Sequence, residues 1–241
     1  VPVGDTVVLH FDETCENGTW CSWNDLPDSF EIGAGDLMVR ATDDTGWWTD
    51  DAGRDYPPYL YRRFTGDFAI VTQVRSLELG GNETLTQDFT VAGFVVRAAT
   101  GSAPAHDASE ATEHWLKFEW GRRGGDFSGL GYLIGQKPST GGDANNLDGH
   151  NTPGATTRLL GLCRTGGDLT FIIDDGGILQ FNPETPPEQF TSEIEVGLTS
   201  GNWNTNGFVT EAAFPGVAMR SGAITPNCQA VVEDLLAQLG R

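Results

Sequence analysis

Basic residues are scarce in this 241-residue chain, which has 14 Lys and Arg against 34 Asp and Glu and a formal net charge of −20. Lys117 and Lys137 are its only lysines. A chain this acidic repels the phosphates of nucleic acids and the head groups of anionic membranes. We therefore expect neither a nucleic-acid partner nor a membrane partner.

Long apolar runs and nucleotide-binding motifs are also missing. No apolar stretch approaches the length of a membrane span. There is no GxGxxG motif, Walker loop or serine nucleophile elbow, so we expect neither a nucleotide cofactor nor serine-hydrolase chemistry. The four histidines, His10, His106, His114 and His150, show no zinc-binding spacing, and no transition-metal site is predicted.

Cysteine is sparse, with Cys15, Cys21, Cys163 and Cys228 as its four positions. None shows CxxC spacing, and four such cysteines fit an oxidising compartment. We favour the pairing Cys15–Cys21 with Cys163–Cys228, although three connectivities are possible and free buried thiols are the alternative. The chain starts at Val1 rather than Met, as a processed secretory protein or a trimmed chain would. We expect a secreted, extracellular protein.

Turn-forming residues occur along the whole chain, which holds 32 Gly and 12 Pro. Short alternating apolar runs recur between the turns. We predict nine strands, at Thr6–Phe11, Asp36–Ala41, Tyr59–Phe64, Phe68–Leu77, Gly93–Ala98, Trp115–Trp120, Arg158–Arg164, Leu169–Asp174 and Glu193–Thr199. Nine strands imply two packed sheets, so the predicted fold is an all-β sandwich that forms one domain over residues 1–241.

Three further segments complete the predicted organisation. Thr100–Glu113 and Gln136–Thr157 are too rich in Gly, Ser and Asp for a core, so we predict rim loops or partly disordered chain there. Near the end, apolar residues from Val232 to Leu239 follow helical spacing. We predict a terminal helix over residues 228–239 whose apolar stripe packs on the sandwich.

Several short motifs occur in a characteristic order. They are Gly46-Trp47-Trp48-Thr49, Pro57-Pro58-Tyr59-Leu60-Tyr61, Gly66-Asp67-Phe68, Gly93–Arg97, Trp115–Glu119, Asp174-Asp175-Gly176-Gly177, Phe190 and Val196-Gly197-Leu198. Together they resemble the concanavalin A-like lectin/glucanase jelly-roll domains, which occur as stand-alone bacterial and fungal proteins and as the C-terminal module of some β-xylosidases. The resemblance implies two antiparallel sheets in a jelly roll, with a concave face available to a glycan. It implies no particular reaction, because such domains include binding modules, hydrolases and lyases.

Alternation along the predicted strands gives the candidate ligand-binding residues. If Leu116 and Phe118 face the core, then Trp115, Lys117 and Glu119 lie together on the opposite face. Several other strands turn one long polar side chain outward in the same way. The predicted concave-face set is Arg40, Tyr61, Gln73, Arg97, Lys117 and Glu119, with Trp47, Trp48 and Trp115 as sugar-stacking residues. Surface ion pairing, or core capping for the tryptophan pair, is the alternative role.

A patch of Arg and Lys in so acidic a protein suits an anionic glycan. The first hypothesis is therefore a non-catalytic polysaccharide-binding protein. The alternative is a polysaccharide-active enzyme, a lyase before a glycoside hydrolase, with Arg97, Lys117, Glu119 and Tyr61 as catalytic residues. The ExDxE or ExDxxE signature of jelly-roll glucanases is absent, which argues against a hydrolase. The sequence leaves open whether the protein is an enzyme, and a purely structural role is a third hypothesis.

Calcium is the one metal that we expect. Jelly rolls of the resembled class often tie their termini with a cation held by carboxylates and backbone carbonyls. Asp12 or Glu16, beside Cys15, offers hard oxygen ligands of that kind. Ordinary solvated carboxylates are the alternative for these two residues. The sequence does not determine the oligomeric state.

Overall fold

Fifteen strands and one helix make up the regular structure of the described residues. The structure is a computed structural model and describes residues 20–23, 29–33, 36–41, 57–78, 85, 90–98, 115–123, 129–137, 145–151, 157–175, 178–184, 190, 193–202, 209–225 and 227–240. In chain order the elements are β1 (Trp20–Trp23), β2 (Phe30–Gly33), β3 (Asp36–Ala41), β4 (Tyr59–Phe64), β5 (Phe68–Glu78), β6 (Thr90–Ala98), β7 (Trp115–Arg123), β8 (Gly129–Lys137), β9 (Asn145–Asn151), β10 (Arg158–Thr165), β11 (Asp168–Asp175), β12 (Ile178–Glu184), β13 (Ile194–Asn202), β14 (Thr210–Phe214), β15 (Val217–Ser221) and α1 (Cys228–Gln238).

The strands form two antiparallel sheets. Among the described residues, one sheet has seven strands in the order β1-β4-β13-β6-β7-β8-β9. The other has eight, in the order β12-β11-β10-β5-β14-β3-β2, with β15 paired to β5. The predicted all-β, two-sheet antiparallel sandwich of the jelly-roll type is thus confirmed.

Alternating side chains explain how these strands pack. In β3, Leu37, Val39 and Ala41 are buried while the residues between them are partly exposed. This period of two is what a half-buried strand requires. The central strands β6 and β13 are instead buried along nearly their whole length. Both faces of the seven-stranded sheet are therefore shielded from solvent at its centre.

The main core lies between the two sheets. Within it, Phe118 of the seven-stranded sheet packs against Phe171 of the other sheet, with ring centroids 5.2 Å apart. Phe118 also stacks on Tyr132, at 5.9 Å. Strands β4, β6, β7 and β13 give alternate residues to this core, so the residues between them face away from the second sheet.

A smaller core joins α1 to the eight-stranded sheet. The helix begins after Asn227, whose side chain accepts a hydrogen bond from the backbone nitrogen of Ala230, as an N-cap does. Its buried residues Val231, Val232 and Leu235 pack in an apolar cluster with residues such as Ala69, Val71 and Ile172. The predicted terminal helix and its packing on the sandwich are confirmed.

A disulfide fixes the same helix. Cys163 of β10 is bonded to Cys228, the first residue of α1, so this predicted pair is confirmed. Cys21 is also disulfide-bonded, while Cys15 lies outside the described residues. Disulfides are typical of an oxidising environment.

Most predicted strands are confirmed. Eight of the nine match β3, β4, β5, β6, β7, β10, β11 and β13, with bounds that differ by three residues or fewer. The ninth, Thr6–Phe11, lies outside the described residues, as does the predicted loop Thr100–Glu113. Within the described ranges no helix is long and apolar enough to cross a membrane.

The predicted loop over Gln136–Thr157 is wrong in part. Strand β9 lies inside this segment and pairs with β8, with a register irregularity after Ile134. It is the last strand of its sheet. Backbone hydrogen bonds to one neighbour are enough to form an edge strand, so its sequence need not show apolar alternation.

Candidate functional site

The seven-stranded sheet carries a row of charged and aromatic residues on the face turned away from the core. We call this surface the charged face. Its members are Tyr59, Tyr61, Arg63, Arg97, Trp115, Lys117, Glu119 and Glu195. Three cations and two carboxylates lie here, although the chain as a whole has a formal net charge of −20. The charged face is therefore enriched in positive charge relative to the rest of the protein.

One carboxylate is held between two arginines. Glu195 of β13 lies opposite Arg63 of β4 and Arg97 of β6 in the strand register. Arg63 donates to Glu195 Oε1 from Nε at 3.2 Å and from Nη2 at 3.1 Å. Arg97 Nη1 lies 3.1 Å from Glu195 Oε2. We call Arg63, Glu195 and Arg97 the arginine clamp.

The three side chains of the arginine clamp differ in solvent exposure. The Arg63 side chain is 23% exposed, whereas those of Glu195 and Arg97 are 3% and 1% exposed. Arg63 is thus the member that solvent reaches. A molecule approaching the charged face would meet Arg63 first, with the largely buried Tyr61 beside it.

Two tyrosines lie next to the clamp. The rings of Tyr59 and Tyr61 stack with centroids 5.0 Å apart, and the Tyr59 hydroxyl donates to the Val95 carbonyl at 3.0 Å. Gly197 makes this arrangement possible, because a Cβ there would lie 2.5 Å from Tyr59 Cε2 and 2.5 Å from the Leu60 carbonyl oxygen. A residue larger than glycine at this position would displace the tyrosine ring or the neighbouring strand.

A second ion pair lies on β7. Lys117 Nζ is 3.0 Å from Glu119 Oε2, and it also lies 5.9 Å from the ring centroid of Trp115. All three side chains are buried. The prediction that an aromatic, a cationic and a carboxylate side chain share one face of this strand is confirmed. A contact of Trp115 with a ligand stays a prediction, and it requires the buried ring to become accessible.

Burial raises the pKa of two groups on the charged face. It raises the pKa of the Glu195 carboxyl above its ordinary value, although Arg97 and Arg63 oppose the shift. It also raises the pKa of Tyr61, and the charge of Glu195 adds to that effect. Tyr61 therefore keeps its proton at neutral pH, whereas a tyrosine that serves as a general base needs the opposite shift.

The two carboxylates of the charged face are held in separate ion pairs. Glu195 and Glu119 are separated by two strand spacings across the sheet and by four residues along it. That offset places their Cα atoms about 17 Å apart. Glu195 is ion-paired with Arg63 and Arg97, and Glu119 with Lys117. A glycosidase needs both carboxyl groups to face one glycosidic bond, so these separate ion pairs do not support hydrolysis by this pair.

Five sequence-predicted residues come together here, and two do not. Tyr61, Arg97, Trp115, Lys117 and Glu119 share the charged face, as predicted. The prediction that Arg40 and Gln73 share it is wrong. These two lie on β3 and β5 of the eight-stranded sheet.

Arg40 has a different set of neighbours on that second sheet. It donates to Glu211 at 2.6 Å and to Glu31 at 2.7 Å. Alternation had placed both Arg40 and Gln73 on the outer side of their strands, which is correct, but it does not reveal which sheet a strand joins. The physical cause of the error is that each sheet of a sandwich has its own outer face.

Sequence reasoning missed Arg63, Tyr59 and Glu195. The signal was present, because Ile194, Val196 and Leu198 alternate as core residues and so place Glu195 on the opposite face. The same pattern in β4, with Leu60 in the core, places Tyr59, Tyr61 and Arg63 together. The period of two that groups Trp115, Lys117 and Glu119 on β7 therefore also groups these residues on β4 and β13.

Several predicted residues lie outside the described part of the chain. They are Trp47, Trp48, Asp12 and Glu16. The roles of the two tryptophans in sugar stacking and of the two carboxylates in calcium binding therefore stay predictions. No group of three or more potential metal-ligating residues occurs within the described ranges.

No known protein family matches the chain, and no curated protein shows significant sequence similarity to it. Solved structures do match. A xylan β-1,4-xylosidase from Bacillus halodurans C-125 is 13% identical, with a TM-score of 0.56, over 82% of this chain and 35% of its own. A Lotus tetragonolobus seed lectin is 10% identical, with a TM-score of 0.55, over 90% and 98%. Alginate lyase A1-II′, of polysaccharide lyase family 7, is 10% identical, with a TM-score of 0.53, over 82% and 85%.

These matches show the fold. The chain has the concanavalin A-like jelly-roll fold that the sequence resemblance implied. It spans about a third of the length of the matched xylosidase. A hydrolase, a lectin and a lyase share this fold, so any function must be argued from the residues of the charged face.

Proposed function

We propose that the protein binds carbohydrate through the charged face and prefers anionic polysaccharides, as a secreted protein of an oxidising environment. The observation that carries this proposal is the arginine clamp, in which two guanidinium groups already hold a carboxylate on the outer face of the sheet. Guanidinium groups bind carboxylates through planar, charge-assisted hydrogen bonds. The carboxylate of an acidic sugar has the same chemistry.

The aromatic residues support the same proposal. Tyr61 stacks on Tyr59 and lies beside Arg63, the accessible member of the clamp. Sugars are bound by aromatic rings that pack on their C–H surfaces, together with polar groups that contact their hydroxyls. Among the fold neighbours, the seed lectin, the xylosidase and the alginate lyase are by name associated with carbohydrates, which supports a carbohydrate ligand in general.

Replacing Arg63 by alanine tests the proposal. We expect the affinity for an anionic polysaccharide such as polygalacturonate to fall about 10- to 100-fold, because a hydrogen bond between charged groups contributes about 1.5–3 kcal/mol. Binding is measured by calorimetry at mildly acidic pH against polygalacturonate, alginate and neutral xylan over a salt series. Binding of the two anionic polymers should weaken with salt, since screening reduces charge attraction.

Arg40→Ala is the matched control, because Arg40 is an ion-paired arginine on the outer face of the other sheet. It should bind like the wild type. If neutral xylan binds more tightly than both anionic polymers at every salt concentration, the preference for anionic glycans is wrong. If Arg40→Ala weakens binding as much as Arg63→Ala, the charged face is not the binding surface.

A polysaccharide lyase is the second candidate function. It is favoured by the placement of Arg97, Lys117, Glu119 and Tyr61 on one face, where cations could neutralise a uronate and a tyrosine could move a proton. The raised pKa of Tyr61 opposes it. We expect no unsaturated product when alginate or polygalacturonate is incubated with the protein and ultraviolet absorbance is followed. A steady rise in absorbance that Tyr61→Phe abolishes would establish the lyase instead.

A further inference from the structure

The arginine clamp is occupied by the protein's own carboxylate. Glu195 uses both of its oxygens, because Oε1 accepts from two nitrogens of Arg63 and Oε2 faces Arg97 Nη1. A guanidinium group offers a limited number of planar donor edges. The edges that hold Glu195 are therefore not available to an acidic sugar while Glu195 stays in place.

We infer that Glu195 determines the ligand specificity of the charged face, as an internal carboxylate that holds Arg63 and Arg97 and excludes an anionic sugar until it is neutralised or displaced. This inference rests on the proposed function. It deepens that function by assigning Glu195 a role in ligand specificity. Arg97 also belongs to the arginine clamp, but its side chain is buried and contacts the ligand only after Glu195 has moved.

The difference in solvent exposure between Arg63 and Glu195 supports the exclusion of an anionic sugar. Arg63 is the accessible member, and its Nη2 lies 3.1 Å from Oε1 of the buried Glu195. An acidic sugar that contacts Arg63 therefore brings its carboxylate close to the carboxylate of Glu195. Two negative charges at such a distance repel each other, and partial burial strengthens the repulsion because there is less water to screen it. A neutral sugar at the same place meets no such repulsion.

Acidic pH is one condition that neutralises Glu195. The charged and titratable groups facing it are Arg63 and Tyr61 from β4, Arg97 from β6, and Glu193, which precedes it in the chain. Tyr61 stays neutral, because burial raises the pKa of its hydroxyl. Because burial raises the pKa of Glu195, its carboxyl takes up a proton at a higher pH than an ordinary sugar carboxylate does. Between the pKa of Glu195 and that of the sugar carboxylate, Glu195 is neutral while the ligand is still charged.

The test compares the wild type with Glu195→Gln over a pH series from neutral to mildly acidic. Glutamine keeps the shape of the side chain but removes its charge. The probes are polygalacturonate and neutral xylan, and affinity is measured by calorimetry. We expect the wild type to bind polygalacturonate about tenfold or more tightly at acidic than at neutral pH, with no such rise for xylan. We expect Glu195→Gln to bind polygalacturonate at neutral pH as tightly as the wild type does at acidic pH.

Glu211→Gln is the matched control, since Glu211 is an arginine-paired glutamate on the other sheet. It should keep the pH profile of the wild type. The inference alone is overturned if the wild type binds polygalacturonate and Glu195→Gln keeps the same pH profile and affinity. The proposed function and the inference both fail if neither protein binds any glycan at any pH. If Glu195→Gln does not fold, the wild-type profiles decide, and equal pH dependence for polygalacturonate and xylan overturns the inference.

Discussion

Replacing Cys163 and Cys228 together by alanine should lower the free energy of unfolding by about 4 kcal/mol. The bond closes a loop of 65 residues in sequence, and the cross-link restricts the unfolded chain more as the loop lengthens. It also anchors α1, whose residues Val231, Val232 and Leu235 cover one side of the eight-stranded sheet. The loss is measured by guanidinium unfolding under non-reducing conditions, followed by tryptophan fluorescence.

The double alanine variant is preferable to reduction of the wild type, because a reductant would also act on the bridge that contains Cys21. Thiol titration of the folded variant should find no free cysteine, which shows that the remaining bridge is intact. A change in unfolding free energy below about 1 kcal/mol would contradict the expectation. It would mean that the apolar packing of α1 holds the helix without the cross-link.

Phe118→Ala should destabilise the protein by about 3–5 kcal/mol. Phe118 is 1% exposed, and its ring contacts Tyr132 in its own sheet and Phe171 in the other. Removing the ring leaves a cavity where the two sheets meet, and the surrounding strands can fill it only in part. Phe118 also lies between Lys117 and Glu119 in the sequence, so the variant tests whether this strand has one face in the core.

Phe118→Leu is the matched control for this change. Leucine keeps most of the apolar volume, so we expect a loss less than half that of the alanine variant. Both losses are read from urea unfolding curves with a common slope. Equal losses for leucine and alanine, or an alanine loss under about 1 kcal/mol, would place Phe118 outside the tightly packed core.

Much of the fold follows from the period of apolar residues. The bounds of β3 and β4 agree with their predicted ranges, and the helix at residues 228–238 agrees with its prediction to within one residue. The cysteine pair 163–228 was also predicted. These features depend on local spacing or on a small set of possible pairings, which a single sequence contains.

Part of the candidate site could not be predicted in this way. Glu195 and Arg63 are 132 residues apart in sequence, and their contact depends on β13 lying between β4 and β6. Arg164 of β10, which lies outside the candidate site, makes another long-range contact of this kind. This buried residue donates to the carbonyl oxygens of Gly66 at 2.7 Å and Phe190 at 3.0 Å. No local pattern in the sequence indicates that these backbone groups are its partners.

The sequence by itself determined which side chains share a face of a strand, as for Trp115, Lys117 and Glu119, because successive residues of a strand alternate between faces. Only the tertiary structure decided which strands are neighbours and to which sheet each belongs. The strand order places Glu195 beside Arg63 and Arg97, and it places Arg40 on the other sheet. The physical reason is that strand pairing is made by backbone hydrogen bonds between distant segments, which are chemically alike in every strand.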